Sequence, residues 1–364
     1  MTVTAVKEFA GVVPRAVAGL RSSDWSPVSV RGARELFEVV LDQLVLSGMS
    51  LIGGPAVPVG LPTEAYAGAA HELSTLGIDG AHADPPPLNV ATRKSARIGR
   101  LTYEKLTYEH DPLLPPCLAA ERLSGPAIAG AHVLRHLDGP RPWVVWVHGA
   151  GQGQPLDLLF SRAARLHHTL GFNVVLPIQP GHGFRRSQWP AYPDLEPLAN
   201  VAGMMRAVSE VRAIVQWIEP DATAIAVAGV SMGSPVAALV SHLEKSVDAV
   251  AVYTPILGLN AMIAEHLGRG GPTSEALRPL LMSEEVMAMT SVIDPLSVEP
   301  SPPPQRRLIV GAWNDQMATR APAIALQDRW GGELYWYGGS HVGHIFSRDV
   351  QTVTERFLGA SLTA

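Results

Sequence analysis

Between Ala222 and Leu239 the chain reads ATAIAVAGVSMGSPVAAL. An apolar run of strand length meets Gly229-Val230-Ser231-Met232-Gly233, and a small-residue segment that favours helix follows at once. A strand that turns into a helix around one serine leaves no room for side chains two residues before and two residues after it. Gly229 and Gly233 stand at those places. Such a turn strains the serine backbone, lifts its hydroxyl above the sheet, and aims the N–H of the next residue, Met232, at the same space. With 34 glycines in the chain the bare pattern could also arise around an incidental serine. The strand before it and the helix after it argue for the functional reading.

The rest of the chain is organised around that turn. Residues 1–95 carry two helical patterns separated by Gly/Pro loops. Ala33, Leu36, Phe37, Val40, Leu41, Leu44 and Val45 recur at spacings of three and four and predict a helix with a broad apolar face. Residues 62–76 predict a second helix that ends before Gly77. Pro85-Pro86-Pro87 marks a loop, a candidate linker. This N-terminal helical extension is expected to pack on the main domain, residues 96–364; covering a substrate entrance is the alternative. From Arg97 onward eight strand candidates alternate mostly with helices, at 98–108, 127–133, 143–147, 172–177, 222–228, 247–253, 307–310 and 333–337. The mainly helical excursion at about 256–305 is too long for a plain connection and predicts a lid. Met282, Met287 and Met289 would give it an adaptable apolar wall, or serve as ordinary core.

The loops after the strands carry the chemistry. His148-Gly149-Ala150-Gly151 leaves the 143–147 strand, and a glycine-rich loop there lets backbone N–H groups approach a developing oxyanion. His182 lies between Gly181 and Gly183, with Arg185, Arg186 and Trp189 beyond it as possible lining of an entrance or as solvated loop residues. A serine hydroxyl needs a base, a neutral imidazole supplies one, and a carboxylate fixes the imidazole tautomer. Ser231, Asp315 and His341 occur in the chain order nucleophile, acid, base.

Bulk properties narrow the partners. The 364 residues are 47% hydrophobic and 17% charged, with a formal net charge of −5, so no basic footprint for nucleic acid is present. Cys117 is the only cysteine, which excludes an intrachain disulfide and a cysteine-based zinc site. No stretch reaches the roughly 20 apolar residues of a membrane span. Lys7, Glu8, Pro14 and Arg15 interrupt any signal-peptide core, so a cytoplasmic, unprocessed chain is expected. His341 with His344, and His167 with His168, lack the further ligands of a metal site, and no cofactor is expected.

Taken together, HGAG at 148–151, GVSMG at 229–233, GAWND at 311–315 and GGSH at 338–341 resemble the α/β-hydrolase fold superfamily, in its serine esterase or lipase-like branch. The resemblance runs from about Arg97 to the C-terminus. It implies a mostly parallel eight-stranded sheet with helices on both faces, Ser231, Asp315 and His341 as a catalytic triad, and an oxyanion hole from Met232 and from Ala150 or a neighbour such as Gly149. His344 and His148 would be supporting residues. The acid usually stands where this chain has Asn314, so a small bulge is required and Asp294 and Glu299 remain fallback carboxylates. His344 competes with His341 as the base. The expected activity is hydrolysis of carboxylic esters with medium or long acyl groups or lipids. A serine peptidase, thioesterase or acyltransferase on the same fold, and a catalytically silent binding module, are the alternatives. Neither substrate nor oligomeric state is legible.

Overall fold

Strands that are apolar on every residue must be covered on both faces, and the central strands of this chain are. A computed structural model describes residues 10–20, 29–52, 63–187, 192–267 and 275–363. Its described helices, in order, include α1 (Val12–Gly19), α2 (Val30–Ile52), α3 (Thr63–Ala81), α4 (Ala163–Leu170), α5 (Pro197–Ile218), α6 (Gly233–Leu243), α7 (Leu259–His266), α8 (Glu284–Met289), α9 (Ala321–Trp330) and α10 (Arg348–Leu362). The strands are β1 (Val90–Ile98), β2 (Leu101–His110), β3 (Ala127–Leu134), β4 (Arg141–Val147), β5 (Asn173–Pro177), β6 (Ala222–Val230), β7 (Ala249–Tyr253), β8 (Arg307–Ala312) and β9 (Glu333–Tyr337).

They form one sheet in the order β1-β2-β3-β5-β4-β6-β7-β8-β9. β5, β4, β6, β7, β8 and β9 run parallel, while β1, β2 and β3 pair antiparallel at one end. Alternate residues serve opposite cores. Val145, Val147, Val175 and Val227 pack with α3, α5 and α6, whereas Val144, Trp146, Val174, Ala226 and Ala228 pack with α4 and α10.

The sheet has nine strands, not the expected eight. The missed one, β1, is the edge partner of β2 in a hairpin whose Ile98 faces Leu101. Its sequence, VATRKSARI, is mostly exposed, so it carries the charges of a guarded edge instead of an apolar period.

Helix α2 forms where expected but faces the other way. Asp42 is 0% exposed, with Glu35, Glu38, Gln43 and Ser47 also buried, while Phe37 is 57% exposed and Leu44 and Val45 also face outward. The expected apolar face is therefore largely the outer one, because hydrogen-bond donors from two distant loops capture Asp42 and Glu38, and Arg15 of α1 engages Gln43 and Ser47. Helix α3 breaks at Gly77, which has φ +62°, and resumes to Ala81. Helix α8 and the turn after it bury Val286, Met289, Val292 and Ile293 in the core that holds α3. Met282 and Met287 stay exposed. Arg185 lines no entrance: its guanidinium is fully buried and forks onto Glu210 of α5, with a further bond to the Ile178 carbonyl. Trp189 lies outside the described residues. Among the described residues no helix is long and apolar enough to cross a membrane.

Candidate active site

Strand β6 ends at Val230, and Ser231 takes φ +54°, a left-handed conformation costly for a residue with a Cβ. Close contact explains both flanking glycines. A Cβ on Gly229 would lie 2.2 Å from the Gly233 carbonyl oxygen, and one on Gly233 would lie 2.3 Å from that of Val147. Ser231 N–H donates to the Tyr253 carbonyl (2.9 Å), tying the turn to the end of β7.

Beyond β8 the chain turns through Trp313 and Asn314 to Asp315. Asn314 is occupied by the neighbouring loop: its N–H donates to the Gly339 carbonyl and its side-chain amide to that of Gly338, both at 3.0 Å. The carboxylate one residue later is the one that meets the imidazole. His341 Nδ1 lies 2.8 Å from Asp315 Oδ2, and His341 Nε2 lies 2.8 Å from Ser231 Oγ. Because a carboxylate only accepts, Nδ1 carries the proton, and Nε2 is left to accept from the serine. Asp315 Oδ1 accepts the N–H groups of Met317 and Ala318, both at 2.8 Å. All three side chains are buried. Burial alone would push the imidazole down, but the charge and hydrogen bond of Asp315, with the charge of Asp42 added, hold His341 above its ordinary value. The fallback carboxylates are employed elsewhere: Asp294 accepts from Leu296 N–H and Glu299 pairs with Arg307.

The five remaining sequence candidates sort by what their polar atoms touch. Gly149 N–H donates to Gln152 Oε1 (2.7 Å), so it is spent. Among the described residues neither Ala150 N–H nor Met232 N–H has a protein acceptor. His148 donates from Nδ1 to the Gly149 carbonyl (2.7 Å) and accepts Gln179 N–H at Nε2 (3.1 Å), which pins the glycine-rich loop. His344 Nδ1 bonds the His341 carbonyl (2.8 Å) and contacts neither Ser231 nor Asp315. Burial pushes His148 and His344 down to about 3, so both stay neutral.

Sequence reasoning missed two carboxylates on α2. Asp42 Oδ2 accepts His341 N–H (2.8 Å) and Gln316 N–H (3.2 Å). Its Oδ1 accepts Val342 N–H and lies within bonding distance of Ser340 Oγ, both at 2.9 Å. Glu38 Oε2 accepts Ser340 N–H (3.3 Å). Polar residues interrupting an apolar period were the only available signal, and the loops they serve lie some 300 residues away in sequence.

A cavity of about 420 Å³ lies near these groups, lined among others by Ile256, Leu257, Met262, Met282, Met317 and Ala318 and not by Ser231, Asp315 or His341 themselves. Ile256 N–H reaches the Ser231 carbonyl (3.5 Å), and Met317 and Ala318 are the residues that donate to Asp315. The cavity wall is thus one residue removed from the hydrogen-bonded line. Among the described residues no group of three or more His, Cys, Asp or Glu stands together as a metal site.

Two uncharacterised proteins of Mycobacterium tuberculosis, from strains CDC 1551 and H37Rv, are each 34% identical over 242 residues, or 64% of this chain. The alignment spans 56% of the length of those relatives. The solved acetyl xylan esterase 1 of Thermoanaerobacterium sp. JW/SL YS485 superposes with a TM-score of 0.53 at 13% identity, covering 82% of this chain and 92% of that one. The acetyl xylan esterase of Paenibacillus sp. R4 gives 0.52 at 17% identity, covering 87% and 99%. At such identity these two show a shared fold. The sequence model of the alpha/beta hydrolase family matches residues 144–361, more than half of the chain and the whole stretch from β4 to α10 that carries Ser231, Asp315 and His341. The chain belongs to the alpha/beta hydrolase family.

Proposed function

We propose that this protein is a serine hydrolase that cleaves carboxylic esters through an acyl-enzyme intermediate, with Ser231 as nucleophile, His341 as base and Asp315 as the acid that orients it. The observation that carries this reading is the unbroken line from Asp315 Oδ2 to His341 to Ser231 Oγ, 2.8 Å at each step and shielded from water.

In the first half-reaction Ser231 Oγ bonds to the ester carbonyl carbon while its proton passes to His341 Nε2, and the carbonyl electron pair moves onto oxygen. The unspent N–H groups of Met232 and Ala150 receive that oxyanion; Gly149, whose N–H is engaged by Gln152, does not. Collapse of the adduct breaks the carbon–oxygen bond to the alcohol, which leaves with the proton from His341. Water then attacks the acyl carbon, passing its proton to His341, and Ser231 Oγ departs reprotonated with release of the carboxylic acid. Asp315 stabilises the imidazolium in both halves and takes no proton itself.

The nearby cavity supports an acyl group of medium or greater length. Its size falls in the small-ligand range and most of the lining residues named above are apolar, with Glu265 and Arg278 as charged lining residues. The excursion that supplies Met262 and Met282 then acts as the lid over that group.

Labelling with a fluorophosphonate probe tests the mechanism without needing the right substrate. Wild type should label, and Ser231→Ala should lose labelling and, on an active ester, lose at least about 10⁴-fold in kcat. Undiminished labelling of the folded variant would sink the assignment. On a panel of p-nitrophenyl esters, rates that peak at acetate or butyrate would remove the acyl-length claim.

A further inference from the structure

We propose that Asp42, brought by helix α2 from outside the stretch that the family model matches, is a positioning residue of this active site: one carboxylate ties the loop bearing Asp315 to the loop bearing His341. The inference rests on the reading of those residues given above and adds a part to it.

The geometry is convergent. Three backbone N–H groups end on Asp42: Gln316, next to Asp315; His341 itself; and Val342. A fourth partner, Ser340 Oγ, completes the set. Two loops that must hold their side chains 2.8 Å apart are therefore referenced to the same two oxygen atoms. Glu38, one turn earlier on α2, holds Ser340 N–H and sits so close over Gly339 and Gly343 that a Cβ on either would meet its Oε2 within 2.2 Å. The family match begins at residue 144, so neither carboxylate belongs to the matched core.

Fold stability alone does not account for a carboxylate at this place. Burial, with the charge of Asp315 added, raises Asp42 to about 6 against the pull of His341 and of the two N–H donors from Val342 and His341. Keeping it ionised at neutral pH costs the fold free energy. Ser340 Oγ adds a second sign of that balance. It lies 2.9 Å from both the Glu38 carbonyl and Asp42 Oδ1, yet its hydroxyl has one proton to give. With Asp42 ionised the two acceptors share that proton, and with Asp42 Oδ1 protonated each contact has a proton of its own. The charged and titratable groups facing Asp42 are Asp315 and His341 from the two loops, Tyr337 from β9, and Glu38 from its own helix, whose other oxygen pairs with Arg34. Ionised Asp42 also raises His341. Removing its charge should make the imidazole less basic as well as less well held.

The test compares wild type, Asp42→Asn, Asp42→Glu and Ser340→Ala. Two readouts are taken: fluorophosphonate labelling rate, with kcat and KM on an ester, and a histidine NMR titration of His341, assigned with His341→Gln. Asp42→Asn should lower kcat and labelling rate on the order of tenfold to a hundredfold, as for a misplacement of about 1 Å, with KM within about threefold. The His341 titration and the acid limb of the kcat/KM profile should both move to lower pH. Asp42→Glu should recover part of the rate, and Ser340→Ala should give a smaller loss in the same direction. A merely structural Asp42 would lower the melting temperature and leave the His341 titration and the pH limb in place, and that result overturns the proposal. If wild type does not label while the His341 titration still moves in Asp42→Asn, the nucleophile assignment fails and the tie between the loops stands. If Asp42→Asn does not fold, Asp42→Glu decides: a wild-type labelling rate together with an unmoved His341 titration in that variant refutes the tie.

Discussion

Ser231 and His341 arrive at one 2.8 Å hydrogen bond by opposite routes. The serine is positioned by a turn of five consecutive residues packed on the backbone of the neighbouring strands. Its backbone strain, its two flanking glycines and the strand and helix on either side are all local, and the contacts that force the glycines run to main-chain oxygens. The histidine is positioned from far away, by a loop whose N–H groups end on Asp42 and Glu38 of a helix some 300 residues earlier. Steric exclusion by backbone needs no partner and cannot adapt. A carboxylate clamp is made of side chains that can move, and its worth depends on their charge.

That difference gives the largest expected contrast. Gly233→Ala and Gly343→Ala introduce clashes of nearly equal distance, 2.3 Å to the Val147 oxygen and 2.1 Å to Glu38 Oε2. Only the second obstacle is the end of a side chain. Gly233→Ala should cost about 2–3 kcal/mol, as overpacking does where backbone must shift, and should cut fluorophosphonate labelling more than about a hundredfold. Gly343→Ala should cost less than about 1 kcal/mol, because Glu38 can swing aside. Chemical denaturation with parallel labelling measures both. Equal losses in the two variants would mean that the clamp is as rigid as the turn.

The same contrast decides what could be read from the sequence. Ser231, the strand before it and the helix after it were legible because the glycines and the apolar runs that mark the turn lie within about ten residues, although one clash that forces Gly233 comes from Val147. The parallel strands from β4 to β8 were legible too, since burial on both faces leaves largely apolar runs, and half-buried edge strand β9 kept enough of one in Leu334 to Tyr337. Edge strand β1 was not, because an exposed edge has no apolar period and its charges imitate a loop. Asp315 could be named but not separated from Asp294 and Glu299, because Asn314 stands where the acid is usual and its side chain is spent on the Gly338 carbonyl in a contact between two loops. Helix α2 was found by its period and misoriented by it. Hydrophobicity counts what a residue prefers on average, and here donors on remote loops outweigh that preference by capturing Asp42 and Glu38.

A smaller effect follows from the charge on Asp42. Its value in the fold, about 6, lies above the ordinary 3.8, so the folded state binds the proton more tightly than the unfolded chain. The stabilising contribution is then complete below about pH 3.8 and is lost as pH rises through about 6. Other carboxylates titrate in the same range, so the quantity to follow is the difference in unfolding free energy between wild type and Asp42→Asn. Between pH 4.5 and pH 7.5 wild type should lose on the order of 1–3 kcal/mol relative to the variant. A flat difference would indicate that the hydrogen bonds from His341 and Val342 fully offset the burial of the charge, and the clamp would no longer carry a stability cost.

The smallest effect is the one that tests how α2 is seated. Its period predicts that Phe37 packs inward, and truncating a buried phenylalanine costs about 3–5 kcal/mol. The structure leaves Phe37 57% exposed on the face opposite Asp42, where polar substitution stays within about 0.5 kcal/mol. Phe37→Ser should therefore melt like wild type and label like wild type. Because residues 37 and 42 are five apart, nearer to a turn and a half than to one, the helix cannot bury both side chains against the same loop. A loss of 2 kcal/mol or more in Phe37→Ser would put the apolar face inward after all. Asp42 would then point to solvent, and the histidine loop would need some other anchor.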